Sequence, residues 1–466
     1  MIRIARTRTG RTLAGTVVTA VATLTATALL GVTPAGAAAA TDGTPDTSFT
    51  AASGTGFDGS VNGLVVQSTA KIIAWGSFTQ LNSAAVSGIA RLTSAGAPDT
   101  AFTTALGTGF NNVIFAAAVH SNPAATATLD KVLVGGSFTT LNTVTVNRLA
   151  RLNADGTPDT AFNTALGAGF NDAVRAILIQ ADGKIVVGGS FTQYQSTAVP
   201  YLARLNADGT LDTTFNTNLG TGPNAAVSEL ALQADGSILI GGSLTSLNSV
   251  AVGRLARLLS NGTPDAAFNT ALGTGLDNEP YVITVQKDGK ILVGGTFANF
   301  NGAAAAAQVL RLTSAGARDT AFDTPFGTGT NGAVWDVREQ YDGEIVVAGS
   351  FSTINAVASR NVVRLNTNLS WDTGFATNQG TGFNDEVYAL AFQSGGALVV
   401  GGYFDKLNEA AAGHVGRLLN NDPKPALPPS GANTGTLVLI GVLLVVGGLI
   451  VAQTTRVLRS SRRSAA

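Results

Sequence analysis

The stretch "RLNADGTPDTAF" (Arg151–Phe162) decides the fold, because complete or altered copies of it recur along the chain. It joins an Arg-Leu segment to an Asp-Thr-x-Phe segment through an Asp-Gly turn. Its Arg occurs seven times, at Arg91, Arg151, Arg204, Arg257, Arg311, Arg364 and Arg417. Its Asp also occurs seven times, at Asp46, Asp99, Asp159, Asp212, Asp265, Asp319 and Asp372. A phrase kept at a fixed period indicates a repeat architecture.

A second phrase, "GSF" and its variants, gives the period of the repeat. Its last residues are Phe78, Phe138, Phe191, Leu244, Phe297, Phe351 and Phe404. The successive spacings are 60, 53, 53, 53, 54 and 53 residues, and the long first spacing reflects an insertion around 120–130. A period this long excludes a β-helix coil, and the apolar pattern within a unit is that of strands.

One unit illustrates the predicted strands. "VRAILIQ" (Val174–Gln180) and "KIVVGGSF" (Lys184–Phe191) flank an Asp-Gly hairpin turn, and "YLARLN" (Tyr201–Asn206) forms a third strand. "LDTTF" (Leu211–Phe215) is interpreted as a short outer strand. Four antiparallel strands in each of seven units predict an all-β, seven-bladed β-propeller.

The two ends of the repeat region predict how the ring closes. In six units the Arg precedes the Asp by eight residues, as Arg151 precedes Asp159. Asp46 at the start and Arg417 at the end are left without a partner in their own unit. We therefore expect the N- and C-terminal strands to share one blade, with no free sheet edge. The Arg and Asp of each blade should pair across adjacent strands and specify the register.

These phrases resemble the delta-60 repeat family of bacterial surface and secreted proteins over residues 41–419, the predicted seven-repeat domain. The resemblance implies a propeller fold and leaves the activity open, because the activities of that family are mostly unassigned.

The N-terminal residues 1–40 are typical of a secretory signal peptide. Arg3, Arg6, Arg8 and Arg11 precede a short apolar run, and small residues follow it up to Ala40. The repeat domain is therefore expected outside the cell.

The C-terminal residues contain Leu427, Pro428, Pro429, Ser430 and Gly431, at the end of a Pro-rich linker over 420–431. An apolar segment (432–455) and a basic tail (456–466) follow. This order resembles the LPxTG sorting signal of Gram-positive surface proteins, which implies a sortase as processing partner and anchorage to the cell wall. Ser430 stands where that family has Thr. If the sortase rejects it, the segment remains a transmembrane anchor with its positive side inside.

Composition excludes several classes of function. The chain has no Cys, so disulfides and thiol-ligated metals are excluded. Without the eight arginines of the two termini, 20 basic residues face 29 acidic ones, a net charge of −9. No nucleic-acid partner is expected for such a chain. We expect a monomer without a cofactor or metal.

Comparison among the units separates constant positions from variable ones. Before the first strand stands a constant Asp or Asn, interpreted as a cap, and six of the seven first strands end in Gln. Four residues after the constant Asp or Asn, the side chain varies. The occupants are Asn62, Phe115, Arg175, Ser228, Tyr281, Trp335 and Tyr388.

The variable residues should form a ring at the mouth of the central channel, because each blade presents them at the same height. Phe115, Arg175, Tyr281, Trp335 and Tyr388 are the predicted ligand-binding residues. The acids beside them are Asp172, Glu279, Asp385 and Glu386. Aromatic faces flanked by polar groups suit sugars or peptide side chains. The alternative is that the aromatic residues only plug the channel.

Catalytic motifs are not visible, since the chain has only two histidines and the repeat domain has no G-x-S-x-G phrase. The predicted function is an anchored surface module that binds an envelope or extracellular glycan or protein. Two alternatives stay open. One is a carbohydrate-active or lyase-type enzyme using carboxylates such as Glu279 and Glu386. The other is a display module without a ligand.

Overall fold

The structure is a computed structural model that describes residues 42–120, 128–304, 308–327, 329–355 and 357–420. The predicted signal peptide, the sorting motif, the apolar segment and the basic tail lie outside these residues. Within the described ranges, no helix is long and apolar enough to cross a membrane.

The described residues contain seven three-stranded antiparallel sheets, one for each sequence unit. We call the strands of each sheet inner, middle and outer, in chain order. The inner strands are Val61–Val66, Ile114–Val119, Val174–Ile179, Val227–Leu232, Pro280–Val285, Val334–Glu339 and Val387–Phe392. The middle strands are Ile72–Gly76, Val132–Gly136, Ile185–Gly189, Ile238–Gly242, Ile291–Gly295, Ile345–Gly349 and Leu398–Gly402. The outer strands are Ile89–Leu92, Leu149–Leu152, Leu202–Leu205, Leu255–Leu258, Val309–Leu312, Val362–Leu365 and Val415–Leu418.

A small two-stranded hairpin follows each middle strand. Its two strands are two residues each, and the residues between them have positive φ in nearly every copy, as Asn142 and Thr143 do. Asn tolerates this backbone conformation better than most residues. The hairpins are Gln80–Leu81 with Ala84–Ala85, Thr140–Leu141 with Val144–Thr145, Gln193–Tyr194 with Thr197–Ala198, Ser246–Leu247 with Val250–Ala251, Asn299–Phe300 with Ala303–Ala304, Thr353–Ile354 with Val357–Ala358, and Lys406–Leu407 with Ala410–Ala411.

The predicted fourth strand is wrong, because the Asp-Thr-x-Phe phrase begins a short helix. Leu211 makes only an isolated bridge to Leu205 before the helix Thr213–Leu219 begins. Asp212 is the N-cap residue, and its carboxylate accepts the amide hydrogen of Phe215. A side-chain acceptor at this position satisfies a helix N–H that has no backbone partner. The helices are Thr47–Ser53, Thr100–Leu106, Thr160–Ala165, Thr213–Leu219, Ala266–Ala271 and Thr373–Asn378, with 3-10 turns at Thr320–Phe322 and Thr324–Phe326.

The two ends of the domain meet in the sheet of the last unit. Pro45 forms an antiparallel bridge with Leu418, and the amide of Asp46 donates to the carbonyl of Arg417 at 2.8 Å. Thr47–Ser53 then lies against the outer strand of that sheet. The N-terminal segment thus supplies a bridge and a helix, where the sequence predicted a full strand.

Every repeated Arg forms a salt bridge with a repeated Asp. Nε of Arg151 lies 2.8 Å from Oδ2 of Asp159, and Nη2 of Arg417 lies 2.7 Å from Oδ2 of Asp46. The guanidinium of Arg151 also lies over the ring of Phe162, with its carbon 3.9 Å from the ring centroid. The remaining pairs are Arg91 with Asp99, Arg204 with Asp212, Arg257 with Asp265, Arg311 with Asp319, and Arg364 with Asp372.

The repeated Arg also connects neighbouring sheets. Nη1 of Arg151 donates to the carbonyl of Ala207 in the next unit at 2.9 Å. In the last unit, Nη1 of Arg417 donates to the carbonyl of Ser94 in the first unit at 2.6 Å. The same kind of bond therefore joins successive units and joins the last unit to the first.

Glycine allows the sheets to pack closely. A Cβ on Gly188 would lie 2.7 Å from Cγ1 of Val227 in the next inner strand, closer than real Cβ atoms approach a neighbour. Gly401 of the last unit faces Val61 of the first unit in the same way, at 2.5 Å. Each inner strand contacts the inner strand of the next sheet, and Val61–Val66 contacts Val387–Phe392.

Candidate functional site

The variable residue of each unit lies on a β-bulge. In the first sheet, Val61 pairs with Gly76 and Gly63 pairs with Trp75, so Asn62 has no partner in the ladder. The same irregularity occurs in all seven sheets. The unpaired residues are Asn62, Phe115, Arg175, Ser228, Tyr281, Trp335 and Tyr388. A bulge bends the strand and redirects the extra side chain, and bulges are common beside binding sites.

The last Gly of each middle strand allows the bulge. A Cβ on Gly189 would lie 2.1 Å from the carbonyl oxygen of Ala173, which precedes the inner strand. The corresponding distances in the other units lie between 2.0 and 2.6 Å. This position is therefore Gly in every unit because the bulged backbone crosses it at contact distance. The glycines are Gly76, Gly136, Gly189, Gly242, Gly295, Gly349 and Gly402.

The constant Asp or Asn before each inner strand fixes the start of that strand. Oδ1 of Asn171 accepts the amides of Thr192 at 2.9 Å and Gln193 at 3.0 Å, at the beginning of the hairpin. Asp58 does the same with Thr79 and Gln80 in the first unit. The residue is thus a cap, as predicted, and its partners lie about twenty residues downstream in the hairpin. It holds the bulge and the hairpin together at one face.

In five units the Gln at the end of the inner strand accepts a hydrogen bond from the repeated Arg. Oε1 of Gln393 accepts from Nη1 of Arg417 at 2.8 Å, and Gln233 binds Arg257 at 3.0 Å. These residues belong to the scaffold and lie at the end of the inner strand away from the bulge.

The seven inner strands line one cavity of about 1180 Å³. All five residues predicted to bind a ligand line this cavity, together with Asn62 and Ser228. Phe115 and Tyr281 each remain 38% exposed. The side chains at the mouth therefore border an open cavity and do not fill it.

Three of the predicted residues form one aromatic cluster. The rings of Tyr281 and Trp335 are stacked, with centroids 4.5 Å apart and planes at 16°. Tyr388 meets Trp335 edge to face, with centroids 5.6 Å apart. Such pairs fix ring orientation, so the cluster presents a preformed aromatic surface to the cavity.

The other two predicted residues form a separate pair. The guanidinium carbon of Arg175 lies 5.1 Å from the ring centroid of Phe115, a cation–π contact. Nε of Arg175 donates to Oγ of Ser190 at 2.9 Å. The mouth therefore has an aromatic side from the fifth to seventh units and a cationic side from the second and third.

Acidic residues lie next to the aromatic residues in the chain, and Asp385 and Glu386 also act on Tyr388. Glu279 accepts the hydroxyl of Ser243 at 2.5 Å, and the carboxylate of Asp385 accepts the amide of Glu386 at 2.8 Å. Burial raises the pKa of Tyr388, and its hydrogen bond with Glu386 and the nearby acids raise it further. Tyr388 is therefore a neutral hydrogen-bond donor at physiological pH.

Three charged residues deeper in the channel were missed from the sequence: Glu229, Asp336 and Arg338. Nε of Arg338 lies 2.9 Å from Oδ1 of Asp336. Burial raises the pKa of Glu229 to about 8, although Arg338 acts in the opposite direction. Glu229 and Asp336 occupy the same position of the repeat, just after the bulge, where the other units have Gly63, Ala116, Ala176, Val282 and Ala389. An acid at this position in two units, and Arg338 in one, are departures from an apolar inner strand that comparison of the units could have found.

Among the described residues, no group of three or more His, Cys, Asp or Glu is arranged to hold a metal ion.

Six segments of the chain match the model of a family described as "Domain of unknown function (DUF5122) beta-propeller". They are residues 67–102, 130–162, 180–215, 233–268, 286–322 and 340–375. These six segments are similar to the β-propeller repeats of that family. Each matched segment ends at the buried Phe of the Asp-Thr-x-Phe phrase, as at Phe162 and Phe215. The predicted all-β fold of repeated propeller sheets is confirmed.

The propeller is similar in fold to several solved structures. One is the extracellular domain of a hybrid two-component system from B. thetaiotaomicron, with 10% identity and a TM-score of 0.46; the similarity covers 78% of this chain and 40% of that one. A second is YCF48 bound to D1 peptide, with 11% sequence identity and a TM-score of 0.46; the similarity covers 78% of this chain and 94% of that one. A third is streptogramin B lyase, with 14% sequence identity and a TM-score of 0.42; the similarity again covers 78% of this chain and 94% of that one. The chain thus spans less than half of the first of these structures. No curated protein matches the sequence.

Proposed function

We propose that this chain is an exported, seven-bladed β-propeller, closed through its two ends, that binds a glycan or protein of the cell envelope at its channel mouth. The C-terminal segment anchors it to the cell wall or the membrane. The observation that carries the binding role is the placement of the variable residue four positions after the constant Asp or Asn of each unit. All seven units carry the same bulge, and the bulged residues border one cavity.

The closed ring is supported by contacts between the last unit and the first. Nε2 of Gln393 donates to the carbonyls of Ala70 and Ser94, both at 3.0 Å. Arg417 donates to Ser94 as well, and Gly401 packs against Val61. Neighbouring units elsewhere in the chain make contacts of the same kinds.

The ligand class is supported by the chemistry of the aromatic side. Tyr281, Trp335 and Tyr388 provide ring faces and edges, and Glu279 and Glu386 provide hydrogen-bond acceptors. Sugar rings stack on aromatic faces while their hydroxyls donate to carboxylates. A packing role alone would select similar residues in all seven units, whereas this position varies from Asn62 to Trp335.

The test is a glycan array and an envelope-extract pull-down with the full chain and with the triple variant Tyr281→Ala/Trp335→Ala/Tyr388→Ala. We expect the parent to bind, and the variant to lose at least about tenfold in affinity, as the loss of aromatic contacts implies. Binding by the parent that the variant retains unchanged, or no binding by the parent, contradicts the proposal.

A matched control removes apolar surface outside the cavity. Val144, Val250 and Val357 are 64%, 63% and 69% exposed at the hairpins and do not line the cavity. The triple variant with Ala at these positions should bind as the parent does. Equal losses in the two triple variants would place the ligand elsewhere on the propeller. Recovery of a shortened product from the bound glycan would favour the enzymatic alternative.

A further inference from the structure

Arg338 lines the channel, and two of its three guanidinium nitrogens, Nη1 and Nη2, have no hydrogen-bond partner among the described residues. Its side chain is 46% exposed, and this surface faces the cavity that it lines. Nε lies 2.9 Å from Oδ1 of Asp336. Within the part of the chain that the structure describes, Nη1 and Nη2 have no hydrogen-bond acceptor. These two N–H-bearing atoms are therefore available to a ligand in the cavity.

Asp336 holds this guanidinium in place. It is 4% exposed, and its Oδ2 accepts the amide of Leu390 in the next inner strand at 2.9 Å. Oδ2 thus ties the carboxylate to the next inner strand, while Oδ1 accepts no hydrogen bond among the described residues and forms an ion pair with Arg338. A guanidinium oriented before binding loses little conformational entropy when it binds a planar oxyanion with its free Nη groups.

The wall around Arg338 is apolar. At the equivalent position the other units have Val65, Ala118, Leu178, Ala231, Thr284 and Ala391. The hydroxyl of Thr284 donates to the carbonyl of Val337 at 2.6 Å and is already used. Of these residues, Val65, Ala118, Leu178, Thr284 and Ala391 also line the cavity, so the free Nη groups of Arg338 lie within a mostly aliphatic belt.

The charges near Arg338 are compatible with an anion. The charged residues that line the cavity are Arg175, Glu229, Lys287, Asp336, Arg338 and Glu339. Asp336 neutralises Arg338, and Glu229 is largely protonated at neutral pH because burial raises its pKa to about 8. Lys287 and Glu339 belong to the end of the inner strands away from the mouth. There Glu339 accepts the amide of Lys287 at 2.8 Å, and Nζ of Lys287 donates to the carbonyl of Gln340 at 2.9 Å.

We propose that the channel binds a small organic carboxylate with an apolar body, its carboxylate on Nη1 and Nη2 of Arg338 and its hydrocarbon portion against the aliphatic belt. This site is separate from the aromatic cluster at the mouth and does not depend on the function proposed there. Among the described residues, Glu229 is the acid from another sheet that acts on Arg338, and in its protonated form it leaves the site without excess negative charge.

The test uses 4-fluorobenzoate as the probe, 4-fluorobenzamide as its neutral isostere, and ¹⁹F NMR titration of the full chain at pH 7. We expect saturable binding of the acid and at least about tenfold weaker binding of the amide. Arg338→Lys keeps the charge that balances Asp336 and removes the planar fork, so it should fold and bind the acid at least about tenfold more weakly.

Arg175→Gln is the matched control, because it removes the other arginine that lines the cavity. It should bind 4-fluorobenzoate as the parent does. Equal affinity for acid and amide, or equal affinity of the parent and Arg338→Lys, overturns the proposal. A loss in Arg175→Gln that exceeds the loss in Arg338→Lys also overturns it, since the probe would then sit at the mouth.

The pH dependence gives a second readout that needs no change at Arg338. Above about pH 8, Glu229 loses its proton and its negative charge should weaken binding of the acid. Glu229→Gln should abolish this weakening and leave affinity at pH 7 unchanged. An affinity of the parent that stays constant from pH 7 to pH 9.5 contradicts the proposal even if Arg338→Lys fails to fold.

Discussion

Arg417 and Asp46 are separated by 371 residues, yet Nη2 of Arg417 donates to Oδ2 of Asp46 at 2.7 Å. Nε of Arg417 donates to the same oxygen at 2.9 Å, and Nε of Arg151 donates to Oδ2 of Asp159, eight residues away in the same unit, at 2.8 Å. The ends of the repeat region therefore complete a unit that elsewhere is continuous in sequence.

Asp46→Ala should lower the free energy of unfolding by about 3 kcal/mol. The change leaves Arg417, with 16% of its side chain exposed, without its carboxylate, and it removes the cap of Thr47–Ser53. Urea unfolding measures the loss. Asp159→Ala is the matched variant within one unit and should cost a similar amount. A cost below about 0.5 kcal/mol for Asp46→Ala, with the full cost for Asp159→Ala, would show that the terminal pair does not form.

Acid should destabilise the propeller below about pH 4. Burial by itself would raise the pKa of Asp159, but hydrogen bonds from Lys131 and Arg151 outweigh it and hold the pKa below its ordinary value. A carboxyl with a depressed folded-state pKa contributes stability that is present above the unfolded pKa and is lost as pH falls through the folded value. The pKa is depressed in the same way at Asp46, Asp99, Asp212, Asp265 and Asp319.

The measurement is the urea midpoint between pH 6 and pH 2.5. It should fall steeply below pH 4, and Asp159→Asn should reduce the steepness because one contributing carboxyl is gone. A midpoint that stays level down to pH 3 would contradict the assigned role of these pairs.

Glu344→Lys should stabilise the propeller by about 1 kcal/mol at pH 8.5. Glu344 stands where four other units have Lys, and together with Asp42 and Asp372 it places three carboxylates on Arg364. Burial raises the pKa of Glu344 to about 7. A raised folded-state pKa gives stability that is present below the unfolded pKa and is lost as pH rises through the folded value.

Glu344→Gln is the control for charge alone. It should raise the urea midpoint at pH 8.5 and have a smaller effect at pH 5, where Glu344 is protonated in the folded state. A fall in the midpoint at pH 8.5 for both variants would mean that the salt bridge with Arg364 outweighs the crowding of acids.

Gly189→Ala should destabilise the protein by roughly 3 kcal/mol or more, because the new Cβ would lie 2.1 Å from the carbonyl of Ala173. Relief requires loss of the bulge at Arg175. Gly395→Ala is the control, since nothing lies within 4 Å of the added Cβ there. Thermal unfolding of the two variants checks the prediction, and equal melting temperatures would show that the bulge does not depend on Gly189.

Much of the scaffold could be predicted because it is repeated. The Arg and the Asp each occur seven times, with Asp46 unpaired at the start of the repeats and Arg417 unpaired at their end. This pattern predicted which Arg forms a salt bridge with which Asp. The helix at Asp212 was missed because Leu-Asp-Thr-Thr-Phe is too short to distinguish a strand from a capped turn. Its identity depends on the carboxylate of Asp212 meeting the amide of Phe215, a contact that periodicity does not reveal.

The site was predicted only in part, for two physical reasons. The bulge places Tyr281, Trp335 and Tyr388 at the mouth, and their mutual stacking depends on the packing of three sheets. The sequence shows that the three residues occupy the same position along their inner strands. It does not show which of their side chains are in contact. Glu229 and Arg338 are departures from an apolar pattern in two different units, and only the packing of the sheets brings their charges together.

The most direct test of the shared sheet is disulfide formation between Cys residues placed at Pro45 and Leu418. These residues form a bridge across the two ends, a geometry suited to a disulfide, and the chain contains no other Cys. Leu152→Cys/Pro158→Cys reproduces the same bridge within one unit and serves as the control. Under mild oxidant we predict that both double variants lose their free thiols and form intramolecular disulfides. Oxidation of the control pair alone, with the terminal pair remaining reduced in folded protein, would contradict a sheet shared by the two ends.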